Sequence, residues 1–313
     1  MPTTTAPDTL SARVGAEILN LLLPHHRTTD RACGPAPASA FPHQLRRIAD
    51  FVHDGAPVLF TLPGFPCKSP NPAKVLGRLP DQGERLSLAF LNSLCTRIQR
   101  VYPPGARVVI CSDGHAFGDL IHVPDHDIDA YADDLRAQIR RRGLDALSVL
   151  DLREVLGDLP NDTKRARLQD RHAPTPEALR AEIHADDRAL SLYRGITRFL
   201  VEDTADWTGT RSALQRDCRR RAYGVMGRSR AWGHLIAEHH PRAVRLSIHP
   251  QPVGAPKFGI RLLDAPDAWT TPWHSVALHR ADGTWTLLPR AAAAEVGRLV
   301  EVDGAPSHYE AGS

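Results

Sequence analysis

A proline-rich segment, Phe65–Lys74, contains two of the four lysines of the chain. The other 35 of its 39 basic residues are arginines, which keep their proton at working pH, whereas a lysine can lose it and act as a base or an amine nucleophile. Lys68 and Lys74 lie on either side of Ser69 and Asn71, whose polar groups would help two ammonium groups to bind a phosphate or a carboxylate. The Walker pattern Gly-x-x-x-x-Gly-Lys-Ser/Thr is absent, and a surface loop with solvated lysines remains the alternative.

A second candidate segment, Ser112–Asp119, follows an apolar run and contains two carboxylates, a histidine and two glycines. An aspartate at the end of a strand, here Asp113, is well placed to serve as a general acid or base. One alternative is metal ligation, although His115 and His122 lack a recognised ligand spacing. The other is an Asp-Gly turn that caps a helix.

Arg194 and Arg198 are one helical turn apart in a segment whose Ile196 and Phe199 supply an apolar face. Like charges at this spacing repel each other unless an anion or a carboxylate lies between them. The pair is therefore a candidate anion clamp. The alternative is a solvated helix face on which Arg198 pairs with Glu202.

Ser247, His249 and Gln251 alternate along a predicted strand and therefore share one face of it. Polar side chains on one face of an apolar strand indicate a wet pocket. Lys257 and His274 follow in short motifs of their own and are candidates for the same pocket. The alternative is an edge strand with one face in solvent.

An α/β framework is predicted to position these segments. Apolar runs typical of buried strands alternate with amphipathic stretches typical of helices. In chain order these elements are strand 57–62, helix 84–102, strand 107–111, helix 128–142 and strand 147–150. The alternation predicts a parallel sheet with crossover helices, and ligands gather at the carboxyl ends of such strands. Both the lysine segment and Ser112–Asp119 follow ends of this kind.

The remainder of the chain changes from helical to β character. Helices are predicted at 10–23 and 45–53 before the sheet, and at 177–184, 187–202, 210–224 and 228–239 after it. Strands are predicted at 244–249, 258–263, 275–279 and 285–288, the last three with hairpin-like spacing and an Asp282-Gly283 turn, followed by a closing helix at 291–299. We expect residues 1–44 to form a helix and a flexible loop, and residues 45–313 to form the catalytic domain.

The composition excludes several classes of function. A net charge of +3 and 6% aromatic residues give no sign of a nucleic-acid-binding surface. The five cysteines are scattered without a Cys-x-x-Cys pair, which argues against a disulfide framework or a zinc ribbon. The longest apolar stretch near the N-terminus, Ile18–Leu23, is too short for a signal core or a membrane span, so we expect a cytoplasmic protein with no membrane attachment.

Five motifs, taken together and in this order, resemble those of a known family. They are Phe65-Pro66-x-Lys68-Ser69-Pro70-Asn71, Ser112-Asp113-Gly114-x-x-Phe117-x-Asp119, Leu192-Tyr193-Arg194-Gly195-x-x-Arg198-Phe199-Leu200, Arg245-Leu246-Ser247-Ile248-His249-Pro250-Gln251 and Thr271-Pro272-Trp273-His274. The family is that of pyoverdine/dityrosine biosynthesis, the isocyanide (isonitrile) synthases. The resemblance implies a modified Rossmann-like fold, with a mostly parallel sheet flanked by helices, a helical middle and C-terminal hairpin-like strands.

The resemblance also implies a reaction. Such lyases join the α-amine of an amino acid, usually tyrosine or tryptophan, to C2 of ribulose 5-phosphate. The carboxylate and the rest of the sugar are then lost, which leaves an isocyanide for a secondary metabolite. No metal or organic cofactor is implied, and a separate iron(II)/2-oxoglutarate oxygenase often processes the product. The alternatives are a family member that forms an N-formyl amino acid and a non-catalytic module that binds a sugar phosphate.

The implied chemistry assigns a role to each candidate residue. The expected catalytic residues are Lys68, Asp113, His249 and Glu202. The expected substrate-binding residues are Ser69, Asn71, Lys74, Arg194, Arg198, Gln251, Lys257 and His274. Asp113 and His249 would move protons, with Glu202 as a weaker candidate. Lys68 would either bind the phosphate, together with Lys74 and the two arginines, or form a transient imine with the sugar ketone.

Overall fold

The computed structural model describes residues 9–30, 36–267 and 269–312, and its first elements are two helices that pack against each other. Helix α1 spans Thr9–Leu22 and α2 spans Pro42–His53. A proline at the first position of α2 suits a site where the backbone N–H has no helical partner. Residues 1–8 and 31–35, which belong to the predicted flexible N-terminal segment, lie outside the described residues.

A five-stranded parallel sheet forms the centre of the molecule. Its strands and the helices between the first three are β1 Val58–Pro63, α3 Gln82–Val101, β2 Ala106–Cys111, α4 Gly114–Ile121, α5 Asp125–Arg141 and β3 Leu147–Leu150. After a helical segment, β4 Val244–Ser247 and β5 Phe258–Gly259 complete the sheet in the order β3-β2-β1-β4-β5. Strands β2 and β3 lie on one side of β1, and β4 and β5 lie on the other. The direction of strand addition reverses between β1 and β4, and sheets of this kind bind ligands at such a switch point. The predicted fold class is confirmed.

Helices of the middle segment cover one face of this sheet. They are α6 Leu152–Leu156, α7 Asn161–His172, α8 Pro176–Ala185, α9 Asp187–Asp203 and α10 Arg211–His239. The prediction of separate helices at 210–224 and 228–239 is wrong, because α10 is continuous. Gly224, the last residue of the first predicted helix, lies inside α10 and allows Leu120 to pack closely against this helix. An added Cβ would lie 3.0 Å from the leucine side chain. Helices α6 and α7 were not predicted.

A second, four-stranded sheet follows. Its elements are β6 Val276–His279, β7 Trp285–Leu288, α11 Arg290–Val296, β8 Gly297–Val302 and β9 Ala305–Ala311, with strand order β7-β6-β9-β8. The β6–β7 hairpin and its turn are confirmed. The predicted strand 258–263 is wrong as part of this hairpin, since its two paired residues belong to the first sheet. The predicted closing helix 291–299 ends at Val296, where Gly297 begins β8 in extended backbone.

Two apolar layers fix the sheet in place. One face packs on α1, α2, α3 and α5 through residues such as Ile18, Ile48 and Leu88. The other face packs on α10, where the indole nitrogen of Trp232 donates to the Cys111 carbonyl at 3.2 Å. The carboxyl ends of β1, β2 and β4 are therefore held at one edge, beneath α9 and the loop before β6. Among the described helices, none combines the length and the apolar character needed to cross a bilayer.

Candidate active site

Lys68 is buried, and its ammonium group is fully bonded within the protein. Its Nζ donates to Asp81 and Glu84, both at 2.8 Å, and to the carbonyl of Pro272 at 2.9 Å. Burial alone would lower the pKa of Lys68, but the charges of the two carboxylates outweigh it and the pKa is raised. A protonated amine with every donor in use suits neither imine formation nor phosphate binding. The expectation for Lys68 therefore changes from a catalytic residue to a positioning residue.

The partners of Lys68 belong to the start of α3. Asp81 caps this helix, accepting a hydrogen bond from Gly83 N, while Glu84 accepts from the Asp81 backbone N–H. This reciprocal arrangement is a capping box, and the pattern Asp-x-x-Glu was its sequence signal. Tyr131 O–H donates to Glu84 at 3.1 Å. Lys68 thus connects the loop after β1 to a rigid helix start.

Lys74 is also paired with carboxylates. Its Nζ lies 2.6 Å from Asp203 and 3.3 Å from Glu202, and 5.5 Å from the centre of the Phe199 ring. Asn71 Nδ2 donates to the Glu202 carbonyl at 2.7 Å. These contacts attach the β1 loop to the end of α9. The charge of Lys74 is balanced, and Glu202 is half-exposed within this junction, so both residues act here as structural links.

Ser69 completes the junction from the other side. Its backbone N–H donates to the Trp273 carbonyl at 2.8 Å, and its Oγ accepts from Asn71 N at 3.1 Å. Asp203 is the residue of this group that the sequence did not single out. Burial raises its pKa, while Lys74 and a hydrogen bond with Ser69 oppose the rise. Its only sequence signal was its position beside Glu202.

The two arginines of α9 lie at the protein surface. Arg194 and Arg198 are both exposed. Arg198 Nε lies 3.6 Å from Glu202, which is the solvated-face arrangement considered as the alternative.

Asp113 lies at the end of β2 with one carboxylate oxygen, Oδ1, buried and without a hydrogen-bond partner in the described residues. Burial raises the pKa of this carboxyl group to about 7. The segment after it is helix α4 rather than the predicted loop, with Asp113 at its N-cap. Gly114 is required there, because an added Cβ would lie 2.2 Å from the Pro66 carbonyl oxygen. The β1 and β2 loops therefore meet at Asp113.

The remaining ionisable residues of this segment have structural partners. His115 Nε2 lies 3.1 Å from Asp129, and Asp119 forms ion pairs with Arg228 and Arg165. No group of three potential ligands that fits a metal ion occurs among the residues described. The metal alternative for this segment therefore has no geometric support there.

His249 and His274 lie on opposite sides of the same region, and both favour the neutral form. Burial, Arg27 and Lys257 lower the pKa of His249 to about 4. Burial, and then the lysines of the β1 loop, hold the pKa of His274 well below its usual value. Both keep part of their surface accessible. Each is therefore a neutral imidazole at neutral pH.

An aromatic side chain contacts each of these histidines. The Phe199 ring centre is 4.5 Å from that of His274, and the Trp269 ring centre is 5.4 Å from that of His249. Trp269 lies against Gly195, where an added Cβ would come within 2.1 Å of the indole. The sequence reasoning missed Trp269, whose position follows from this tertiary contact alone. The walls suit an aromatic side chain.

Gln251 and Lys257 follow β4. Gln251 Nε2 donates to the Pro250 carbonyl at 2.9 Å and to Ser247 Oγ at 3.3 Å, so its amide shapes the loop that carries His249. Lys257 is largely buried beside His249, and its charge contributes to the lowered pKa of that histidine. The structure thus brings together Asp113, His249, His274 and Lys257 at one edge of the sheet, with Ser69, Asn71 and Gln251 as loop-shaping residues.

Comparisons with known proteins agree with this architecture. A family model described as pyoverdine/dityrosine biosynthesis protein matches residues 48–300. The chain is 46% identical over 315 residues to an L-tyrosine isonitrile synthase of Pseudomonas aeruginosa, covering 97% of this chain and 95% of that protein. It is 38% identical over 309 residues to an L-tryptophan isonitrile synthase of Fischerella ambigua, covering 96% and 93%. The crystal structure of the PvcA protein from Pseudomonas aeruginosa matches with a TM-score of 0.88 and 44% identity, over 95% of this chain and 99% of that one.

These matches extend over nearly the whole chain and include both sheets and the helical middle. They confirm the resemblance carried by the five motifs. The chain therefore belongs to the pyoverdine/dityrosine biosynthesis protein family, that of the isocyanide (isonitrile) synthases.

Proposed function

We propose that this enzyme is an isonitrile synthase that joins the α-amine of L-tyrosine to C2 of ribulose 5-phosphate. The observation that carries the proposal is Asp113, a buried carboxyl group with an unpartnered oxygen at the carboxyl end of β2. Its pKa of about 7 suits a group that both accepts and returns protons near neutral pH. L-Tryptophan is the second candidate amino acid, because two relatives at 38% and 35% identity carry that name.

The reaction requires proton transfers at several steps. Condensation of an amine with a ketone releases water and needs an acid and a base. Cleavage of the C1–C2 and C2–C3 bonds of the sugar then leaves C2 on the nitrogen as the isocyanide. The electron pair of one broken bond stays on C2 as the isocyanide lone pair, the other pair leaves with its sugar fragment, which takes up a proton, and both sugar fragments are released. Loss of the carboxylate as carbon dioxide leaves an electron pair on the α-carbon, which is also protonated. Asp113 and His249 are the residues proposed to exchange protons in these steps. His274 is a third such group.

The aromatic walls support the choice of amino acid. Phe199 and Trp269 form apolar surfaces beside the two histidines, and an aromatic substrate ring would pack between them. Two relatives, at 46% and 47% identity, are both named for L-tyrosine. We expect tyrosine to be used more efficiently than tryptophan.

The test is incubation of the purified protein with ribulose 5-phosphate and either L-tyrosine or L-tryptophan, followed by mass spectrometry. We expect an isocyanide whose extra carbon derives from C2 of 2-¹³C-labelled sugar. An N-formyl product would support the first alternative, and binding without consumption would support the non-catalytic module. No turnover of either amino acid would refute the proposal. A separate iron(II)/2-oxoglutarate oxygenase is the expected consumer of the isocyanide.

A further inference from the structure

Arg245 on β4 lies beside Lys257, the residue that immediately precedes β5. The β4–β5 ladder pairs Leu246 with Phe258 and Ser247 with Gly259 in parallel register. The residue before each member of the first pair is Arg245 in β4 and Lys257 just before β5. Strands in a sheet are about 4.8 Å apart, and paired positions direct their side chains to the same face. Two cations therefore project side by side from this edge of the sheet.

The side chain of Arg245 reaches helix α10. Arg245 Nη2 donates to the Gly233 carbonyl on that helix at 3.5 Å. Arg230 lies three residues earlier on α10, about one turn away. Its charge, like that of Arg245, contributes to the electrostatic field at Lys257. Three cationic side chains thus converge between the β4–β5 edge and α10; we call them the β4–α10 cation group.

Two members of this group, Arg245 and Lys257, lack the counter-charges that Lys68 and Lys74 have. Lys68 and Lys74 each contact two carboxylates, and Lys164 contacts the side-chain oxygen of Asn161. Within the described parts of the chain, Lys257 Nζ has neither an ion pair nor a hydrogen bond. In the same described residues, the side chain of Arg245 has one hydrogen bond, the 3.5 Å bond to Gly233. Arg245 and Lys257 are both partly exposed, so an anion from solution can reach the two charges.

The charge balance indicates how much negative charge would fit. Arg230 is already paired with Glu182 at 2.5 Å. Arg245 and Lys257 are left with two unbalanced positive charges. Burial, followed by the positive charges of Arg245 and Arg230, lowers the pKa of Lys257 to about 8. A bound dianion would reverse that shift and keep the lysine protonated.

We propose that Arg245 and Lys257, assisted by Arg230, bind the phosphate group of the sugar substrate between the β4–β5 edge and α10. This assignment rests on the proposed function and moves the phosphate away from the β1 loop, whose lysines are already neutralised. A phosphate dianion matches the two free charges, and the planar guanidinium of Arg245 can bind it with two hydrogen bonds. The site adjoins His249, so the sugar would extend from its phosphate toward the proton-transfer residues.

The test compares Lys257→Met and Arg245→Gln with wild type, and uses Lys164→Met as the matched control for loss of a buried lysine. Calorimetry measures binding of ribulose 5-phosphate, D-ribulose and L-tyrosine. We expect both variants to bind ribulose 5-phosphate roughly 10- to 100-fold more weakly, the range of a lost charged hydrogen bond. Binding of D-ribulose and L-tyrosine is expected to stay within about twofold, because neither carries the phosphate. The control is expected to bind all three as wild type does.

Several outcomes would overturn the assignment. One is unchanged binding of ribulose 5-phosphate; another is a loss confined to L-tyrosine, which would assign the site to the amino-acid carboxylate. A third is a lowered Tm of Lys257→Met together with weaker binding of all ligands, because removal of a partly exposed ammonium group without an ion pair should leave the Tm nearly unchanged. Turnover separates this test from the proposed function. If wild-type protein binds the sugar phosphate through these residues but forms no isocyanide, the proposed function alone is refuted. If both variants form the isocyanide with an unchanged KM for ribulose 5-phosphate, this phosphate assignment alone is refuted.

Discussion

The ammonium nitrogen of Lys68 lies 2.8 Å from a carboxylate oxygen of Glu84, and neither side chain reaches solvent. The same nitrogen donates to the Pro272 carbonyl, so one cation joins the β1 loop, the start of α3 and the loop before β6. These loops carry Ser69 and His274. The geometry of the candidate site therefore depends on a charge that takes no part in the proposed chemistry.

Replacement of Lys68 should damage the fold more than the chemistry. Lys68→Met leaves Asp81 and Glu84 buried without their cation, which costs about 3–5 kcal/mol for a broken buried pair. We expect urea unfolding to show this loss. Borohydride reduction of wild type in the presence of ribulose 5-phosphate should add no sugar mass at Lys68, because its amine is protonated and fully bonded. A reduced sugar adduct on this residue would restore its assignment as an imine-forming lysine.

The parts of the fold that were predicted correctly depend on local patterns. The strands around Val58 and Val108 are continuous apolar runs, and the stripe of leucines on α3 has helical spacing. Helix α10 was divided in two because Gly224 resembles a helix end, whereas its role is to let Leu120 approach. That contact lies about a hundred residues away along the chain, and no local pattern reveals it.

The sequence motifs predict which residues form the site, but not which side chains those residues contact. The motifs identified Lys68, Asp113 and His249, and the structure brings their loops to one edge of the sheet. The carboxylates that neutralise Lys68 and Lys74 were not foreseen, because ion pairing across loops follows no sequence period. Trp269 was missed for the same reason. The charged residues of the sequence therefore indicate the polar loops, but not which lysines and arginines lack an ion-pair partner.

Asp113→Asn should abolish proton transfer while increasing stability. We expect kcat to fall about 10²- to 10⁴-fold, the usual contribution of a general acid or base. The folded carboxyl group has a raised pKa of about 7, so the folded state retains a proton that the unfolded state has lost. Wild-type stability therefore falls as pH rises from about 4 through 7, and the asparagine variant lacks this loss.

Urea unfolding at several pH values, together with kcat from product formation, measures both effects. The stability gain of Asp113→Asn should grow between pH 4 and 7 and stay constant above. If the free energy of unfolding depends on pH in the same way in both proteins, the raised pKa assigned to this carboxyl group is contradicted. Wild-type activity that requires the ionised carboxylate should rise through about pH 7.

His249→Gln should lower activity and improve acid resistance. The neutral imidazole has a pKa of about 4 in the folded protein against 6.5 ordinarily, so it contributes stability that is present above pH 6.5 and lost as pH falls toward 4. Glutamine cannot take up that proton, and the variant should unfold at lower pH than wild type. Circular dichroism during acid titration checks this. An identical transition for His249→Gln would show that this histidine titrates normally.

Gly195→Ala should impair use of the amino acid. The added methyl group would lie 2.1 Å from the Trp269 indole, a distance that forces the indole away from His249. We expect KM for L-tyrosine to rise about tenfold, corresponding to the upper range of an aromatic contact, while KM for ribulose 5-phosphate changes little. Gly77→Ala is the matched control, because no atom lies within 4 Å of its added Cβ. The measurement is steady-state kinetics with each substrate varied in turn. Equal KM values for L-tyrosine in both variants would exclude Trp269 from the amino-acid pocket. A KM for L-tyrosine that increases only in Gly195→Ala would place that indole against the substrate ring.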